Sequence, residues 1–216
     1  MASILKVDKI RVSGGDSDSI SFDGNGNITF NKTTSGSGIN TVILANDTTG
    51  GTAAEIAFDL SMDTSYIYQK IIIESLYASA LNDLYAQTRR ASDNTYYTGS
   101  NSYAYAYRYT SRSGAGGNGS DGNTYARFSG NGMGNTSSRT STYEIYIFNN
   151  AVSGTGRQTT LRWYRDGYDS AKYVHEGGSI AETATTTTNQ FKIYSSAGGG
   201  NTLTYSGYVH YGIKRA

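Results

Sequence analysis

Few groups on this chain are equipped for acid–base or metal chemistry. His175 and His210 are its two imidazoles, and no His-Glu-x-x-His spacing contains them. A catalytic zinc needs about three protein ligands around one open position, so both histidines are expected to be surface or packing residues. Five carboxylates, Glu144, Asp166, Asp169, Glu176 and Glu182, lie in or beside predicted strands. Glycoside hydrolysis needs two carboxyl groups roughly 5–9.5 Å apart, and Asp166 with Glu176 is the pair such an enzyme would use. Acidic residues near loop ends are ordinary in β proteins, so this signal stands little above background. Asp23-Gly24-Asn25-Gly26-Asn27 opens like a calcium loop, but Ile28 stands where that loop needs glycine and Thr34 where it needs glutamate. It reads as a turn. The chain has no cysteine, no Gly-x-Ser-x-Gly elbow and no Walker loop, which removes thiolate, elbow-serine and phosphate-cradle chemistry. No catalytic, cofactor-binding or metal residue is assigned, and no cofactor is expected.

Tyrosine is the unusual feature, present 20 times in 216 residues. It offers a broad apolar face and a hydroxyl with few torsions to freeze, which suits interfaces and stacking on sugar rings. Arg89, Arg90, Arg108, Arg112, Arg162 and Arg165 could stack on tyrosine or pair with carboxylates. The Gly/Asn/Tyr-rich stretches 94–102, 111–124 and 129–141 and the residues at their edges supply the candidate surface or receptor contacts: Tyr96, Tyr97, Tyr103, Arg112, Tyr125 and Met133. The competing reading is that most tyrosines fill the core of a chain poor in Leu and Phe. With 18 basic against 17 acidic side chains and no basic run, nucleic acid is not an expected partner.

These residues must be held by strands. Of the 216 residues, 96 are Gly, Ser, Thr or Asn, and none is Pro; Thr and Tyr favour strand, and Gly and Asn supply the turns. No apolar window is long enough to cross a bilayer as a helix, and the opening residues do not resemble an export signal. Period-two alternation marks Ile56, Phe58 and Leu60, then Tyr103, Tyr105, Tyr107 and Tyr109, then Tyr143, Ile145 and Ile147, then Leu161, Trp163 and Arg165. Residues 66–90 fit helix or strand, and their β-branched and Tyr content favours strand. Residues 111–124 and 129–141 read as exposed loops around a short strand at 125–128. Gly177-Gly178 separates two short strands, and Leu203, Tyr205, Val209, Tyr211 and Ile213 share one face of a closing strand. The expected fold is all-β: an antiparallel β-sandwich, jelly-roll-like, over 51–216, with an extended N-terminal β arm over 1–50. The arm has too few apolar residues for its own core and is expected to dock or pair between chains.

Ala2 to Ile10, followed by Ile20 to Phe30, resembles the N-terminal segments of virion structural proteins of tailed bacteriophages, fibre-like and decoration proteins among them. Residues 191–196 and 203–214 resemble the closing strands of jelly-roll modules in the same proteins. The resemblance implies a non-enzymatic virion protein assembled in the host cytoplasm, commonly a homotrimer attached through its N-terminus. It implies Ile4, Leu5, Val7, Ile10 and Val12 as anchor residues toward other virion proteins; the Gly/Asn/Tyr-rich loops of the head are expected to contact a host-surface glycan, and no membrane insertion is expected. A capsid decoration protein is the alternative, and a polysaccharide-degrading enzyme a more distant one.

Overall fold

A computed structural model describes residues 9–11, 18–22, 28–30, 39–111, 114–129, 132–154, 158–169, 172–196 and 200–215. The chain divides into two compact units, Met1–Ile39 with Ala216, and Asn40–Arg215. The first unit holds a three-stranded antiparallel sheet of β1 (Lys9–Arg11), β2 (Asp18–Phe22) and β3 (Ile28–Phe30). Ile20 pairs with Ile10 on one side and Phe30 on the other, so the predicted strands at 20–22 and 28–30 do pair with one another. Of the expected anchor residues, Ile10 lies on β1, while Ile4, Leu5, Val7 and Val12 lie outside the described residues.

The second unit is all-β and antiparallel, with no helix among the described residues. Its strands are β4 (Ile39–Asp47), β5 (Gly51–Ala53), β6 (Glu55–Asp59), β7 (Tyr66–Ala78), β8 (Leu84–Arg90), β9 (Tyr103–Ser111), β10 (Gly114–Asn123) and β11 (Ala126–Arg127). They continue as β12 (Ser141–Phe148), β13 (Thr160–Tyr168), β14 (Tyr173–Glu182), β15 (Thr188–Ser195), β16 (Leu203–Tyr205) and β17 (Gly207–Arg215). The small sheet runs β11-β8-β15-β6. The large sheet runs β10-β9-β14-β13-β12-β7, and the far edge of β7 pairs with β17 and β16, which in turn pair with β4 and β5. The second unit begins at Asn40, because β4 is a strand of the large sheet.

The two inner faces supply one core. Ile71, Ile73, Tyr143, Ile145, Ile147, Leu161 and Trp163 face Phe58, Leu84, Phe128, Phe191 and Ile193, all buried and in a single cluster. Trp163, Phe128 and Tyr143 stack at its centre, with Phe128 to Trp163 at 5.2 Å and Phe128 to Tyr143 at 5.5 Å. Residues 66–78 and 84–90 are strand, and the four alternating tyrosines of β9 face inward, Tyr103 and Tyr107 buried and Tyr105 and Tyr109 packed against the same core.

The structure corrects three expectations, each through glycine or a bulge. Residues 114–123 form β10, an edge strand in register with β9 from Gly114↔Ser111 to Ser120↔Tyr105, instead of a loop. Its glycines leave room for neighbouring side chains: a Cβ on Gly116 would lie 2.6 Å from the Tyr109 hydroxyl. Gly177-Gly178 lies inside one continuous β14, where Tyr164 covers Gly177 on one face and Trp163 covers Gly178 on the other. The closing strand breaks at Ser206, opposite a bulge in β7 where Ser75 adopts φ 53°. An extra residue reverses the side-chain alternation. Past it, buried His210 and core-packed Tyr208 face inward instead of Val209 and Tyr211.

Candidate functional site

Three of the six residues expected at the surface belong to the core. Tyr103 is fully buried; its hydroxyl donates to the Tyr97 carbonyl at 3.1 Å and accepts from the Thr88 amide at 2.9 Å. Met133 is fully buried against Tyr143, whose hydroxyl points at its sulfur at 3.0 Å. Tyr97 is buried, hydrogen-bonded to the Thr186 hydroxyl, with the Arg90 guanidinium 4.7 Å from its ring. These large side chains turn inward because burial removes their apolar area from water while each polar tip keeps a partner. Arg112 lies outside the described residues.

Tyr96 and Tyr125 are half-exposed, at the outer face of the small sheet. Tyr125 stacks on Tyr85 with ring centroids 4.0 Å apart, and Tyr194 meets Tyr85 edge-on at 5.9 Å. Lys192 lies 4.1 Å from the Tyr96 ring and 2.7 Å from Glu55. Burial pushes the Tyr85 and Tyr194 hydroxyls up to about 12. These rings engage one another more than they engage solvent.

The carboxylates do not assemble as a hydrolase would need. Asp166 and Glu176 fall on opposite faces of the large sheet, because neighbouring β13 residues alternate: Arg165 pairs in register with Glu176, and Asp166 with His175. Glu176 is buried in an ion pair with Arg165 at 3.1 Å, both side chains fully inaccessible. Asp166 lies outside, hydrogen-bonded to His175. Glu182 shares the inner face with Glu176 but stands six residues along the strand, roughly 20 Å away at about 3.3 Å per residue. Glu144 and Asp166 are diagonal neighbours on the outer face, yet Glu144 leans to Lys70 at 3.0 Å on one side and Asp166 to His175 on the other. The hydrogen bond from Lys70 holds Glu144 below the usual carboxylate range, which is the wrong direction for a general acid.

What the outer face of the large sheet does offer is exposed aromatic surface. Tyr164, Tyr168 and Tyr173 are 57%, 38% and 46% exposed. β13 presents Arg162, Tyr164, Asp166 and Tyr168 on this face, and β12 presents Glu144, Tyr146 and Phe148 beside them. The aromatic rows touch across strands: Tyr68 to Phe148 at 5.5 Å, Tyr68 to Tyr146 at 5.8 Å, and Tyr146 to Tyr164 edge-on at 6.1 Å. Tyr168, Tyr173 and His175 continue the row, with centroid separations of 5.5 Å and 5.1 Å. Glycine in β14 is what lets Tyr164 lie flat, since a Cβ on Gly177 would stand 3.1 Å from its ring. Beyond Tyr68, a cavity of about 30 Å³ is lined by Asp63, Tyr66, Tyr68, Asn149 and Asn150. That holds about one water-sized group, so a ring-sized ligand would lie on the face and not in the cavity. No signal within one strand reveals this array, because its members come from β7, β12, β13 and β14. The outward phase of Tyr146, Tyr164 and Tyr168 against the apolar inner phase was the available clue.

Among the described residues no cluster of three metal-binding side chains occurs. No family model and no curated protein matches the chain. Among solved structures, 69% of it aligns with 28% of a xylan β-1,4-xylosidase from Bacillus halodurans C-125, at 8% identity and TM-score 0.26. The same share aligns with 30% of an engineered GH43 glycoside hydrolase having endo-xylanase and exo-arabinofuranosidase activity, at 12% identity and TM-score 0.28. The chain thus spans under a third of either protein, and likeness at this level carries no argument about fold or activity.

Proposed function

We propose that this chain is a non-enzymatic attachment protein of a tailed-phage virion, held by its N-terminal unit and presenting a β-sandwich head to a host-surface glycan. The observation that carries the glycan reading is the exposed ring array Tyr164, Tyr168 and Tyr173 on a face that also offers Arg162, Asp166 and His175. Flat apolar rings flanked by hydrogen-bonding groups match the alternating C–H and hydroxyl surfaces of a sugar. An open face gives modest affinity per site, which many copies on one particle would multiply.

A jelly roll is the finer reading of the head. The order β4/β5, β17/β16, β7, β12 in one sheet and β6, β15, β8, β11 in the other supports it, with β13, β14, β9 and β10 extending the large sheet. Self-association is supported by β4, which pairs with β17 and carries Val42 and Ile43 at 40% and 61% exposure. An edge strand with exposed apolar residues is a template for pairing between copies.

Binding of the full-length protein to host-envelope glycans tests the reading. Tyr164→Ala should weaken binding by about tenfold or more, while Gln87→Ala on the small sheet should leave it unchanged. Equal binding by both variants, or none by the parent protein, refutes the glycan role. Imaging of labelled protein on particles separates a tail position from the capsid shell, and absence from particles sinks the virion assignment.

A further inference from the structure

The neighbourhood of Tyr164 is asymmetric in charge. Of the charged groups on this face, Lys70 is paired with Glu144 and Asp166 with His175. Arg162 and Arg108 are exposed, and neither has a carboxylate partner among the described residues; Arg162 meets only a ring, that of Phe148, at 5.7 Å. The sheet register fixes where they stand. Arg162 lies two residues before Tyr164 on the same face, roughly 6–7 Å along the strand. Arg108 lies in the same cross-strand row as Tyr164, with Gly177 between them, two strand spacings or roughly 10 Å away. The positions between the two arginines are small: Gly177 and Ser179 on β14 and Ala106 on β9. Tyr164 thus lies over Gly177, and only the short side chains of Ser179 and Ala106 stand between this exposed ring and the two guanidiniums. Asp166 lies on the other side of Tyr164, away from Arg162.

Resting on the glycan-binding reading above, we infer that the ligand of this face is an acidic oligosaccharide, one sugar stacked on Tyr164 and its carboxylate held by Arg162 and Arg108. A guanidinium matches a carboxylate bidentately, and two unpaired ones beside an exposed ring give charge complementarity that a neutral glycan would leave unused. The site is exposed, so each pair contributes modestly and is screened by salt.

The test uses the full-length protein and a panel of uronate-bearing oligosaccharides, each matched to its carboxyl-reduced neutral counterpart, with inorganic phosphate as a competitor. The uronate forms should bind several-fold more tightly and lose that margin at high salt. Arg162→Gln and Arg108→Gln should each cost about two- to fivefold for the uronate and nothing for the neutral form. Tyr164→Ala should weaken both forms, with circular dichroism confirming that each variant is folded. Equal affinity for acidic and neutral partners, or arginine variants that bind uronates like the parent, overturns the inference while leaving glycan binding standing. Displacement by phosphate as effective as by free uronate also overturns it, since the site would then read an anion and not a sugar. Silence across the whole panel overturns both this inference and the glycan reading.

Discussion

Glu182 and His210 are buried on the inner face of the large sheet and titrate in opposite senses. Glu182 accepts from the Thr188 hydroxyl at 3.0 Å and has no ion-pair partner among the described residues; burial pushes it up to about 7. His210 faces the Gln69 side-chain oxygen at 3.0 Å, and burial lowers its pKa to about 4. The folded state therefore keeps a proton on Glu182 that the unfolded chain releases near 4.5; that stabilisation is complete below 4.5 and lost as pH rises to 7. His210 gives the reverse: its contribution is complete above 6.5 and lost as pH falls toward 4. Each shift corresponds to at most about 3 kcal/mol, and the two slopes oppose each other where their windows overlap. Stability should thus change little between those pH values in the parent protein. In denaturant melts, Glu182→Gln should expose a loss of stability on acidification and His210→Gln a loss on alkalinisation; parallel profiles for parent and variants would refute the account. The buried Arg165–Glu176 pair belongs to this scale too. Arg165 also donates to Ser141 Oγ at 3.1 Å and the Gly132 carbonyl at 3.2 Å, so the residue that sequence alternation set on one face with Leu161 and Trp163 is a structural tie.

At the scale of elements, β14 explains why glycine was hard to interpret. A Gly-Gly pair in a strand usually suggests a break or a close approach, and here it is the second. A Cβ on Gly178 would stand 2.6 Å from the Ala106 carbonyl and 2.8 Å from the Trp163 ring, neither of which can easily move. Gly178→Ala should therefore cost about 1–3 kcal/mol, read as a melting temperature lower by about 2–4 °C per kcal/mol. Gly99→Ala, whose nearest neighbour is Ser102 Oγ at 3.5 Å, should change stability by less than about 0.5 kcal/mol. An equal loss in both would refute the steric account of Gly178. The turn between β4 and β5 has its own local cause: the Asp47 carboxylate accepts from the amides of Thr49 and Gly50 and from the Tyr205 hydroxyl. Those bonds tie the break between β4 and β5 to the end of β16.

At the scale of the molecule, β4 is where self-association can be read. Ile43→Lys adds a charge to an exposed apolar strand and should shift sedimentation equilibrium toward the mass of one chain; a monomeric parent protein would refute pairing between copies. The sequence by itself determined that the body is antiparallel β, and which residues of β6, β9, β12 and β13 share a face, because a period of two is a local property of each strand. It also set Arg165 on one face with Leu161 and Trp163 and located the β2 and β3 strands of the N-terminal unit. Only the tertiary structure decided that β10 is a strand, that the closing strand reverses phase at Ser206, and that Tyr103 and Met133 are core while Tyr164 is surface. It likewise separated Asp166 from Glu176 and gathered four strands' aromatic side chains onto one face. Those outcomes depend on which strands become neighbours and in what register, and long-range pairing leaves no trace within one strand's own alternation.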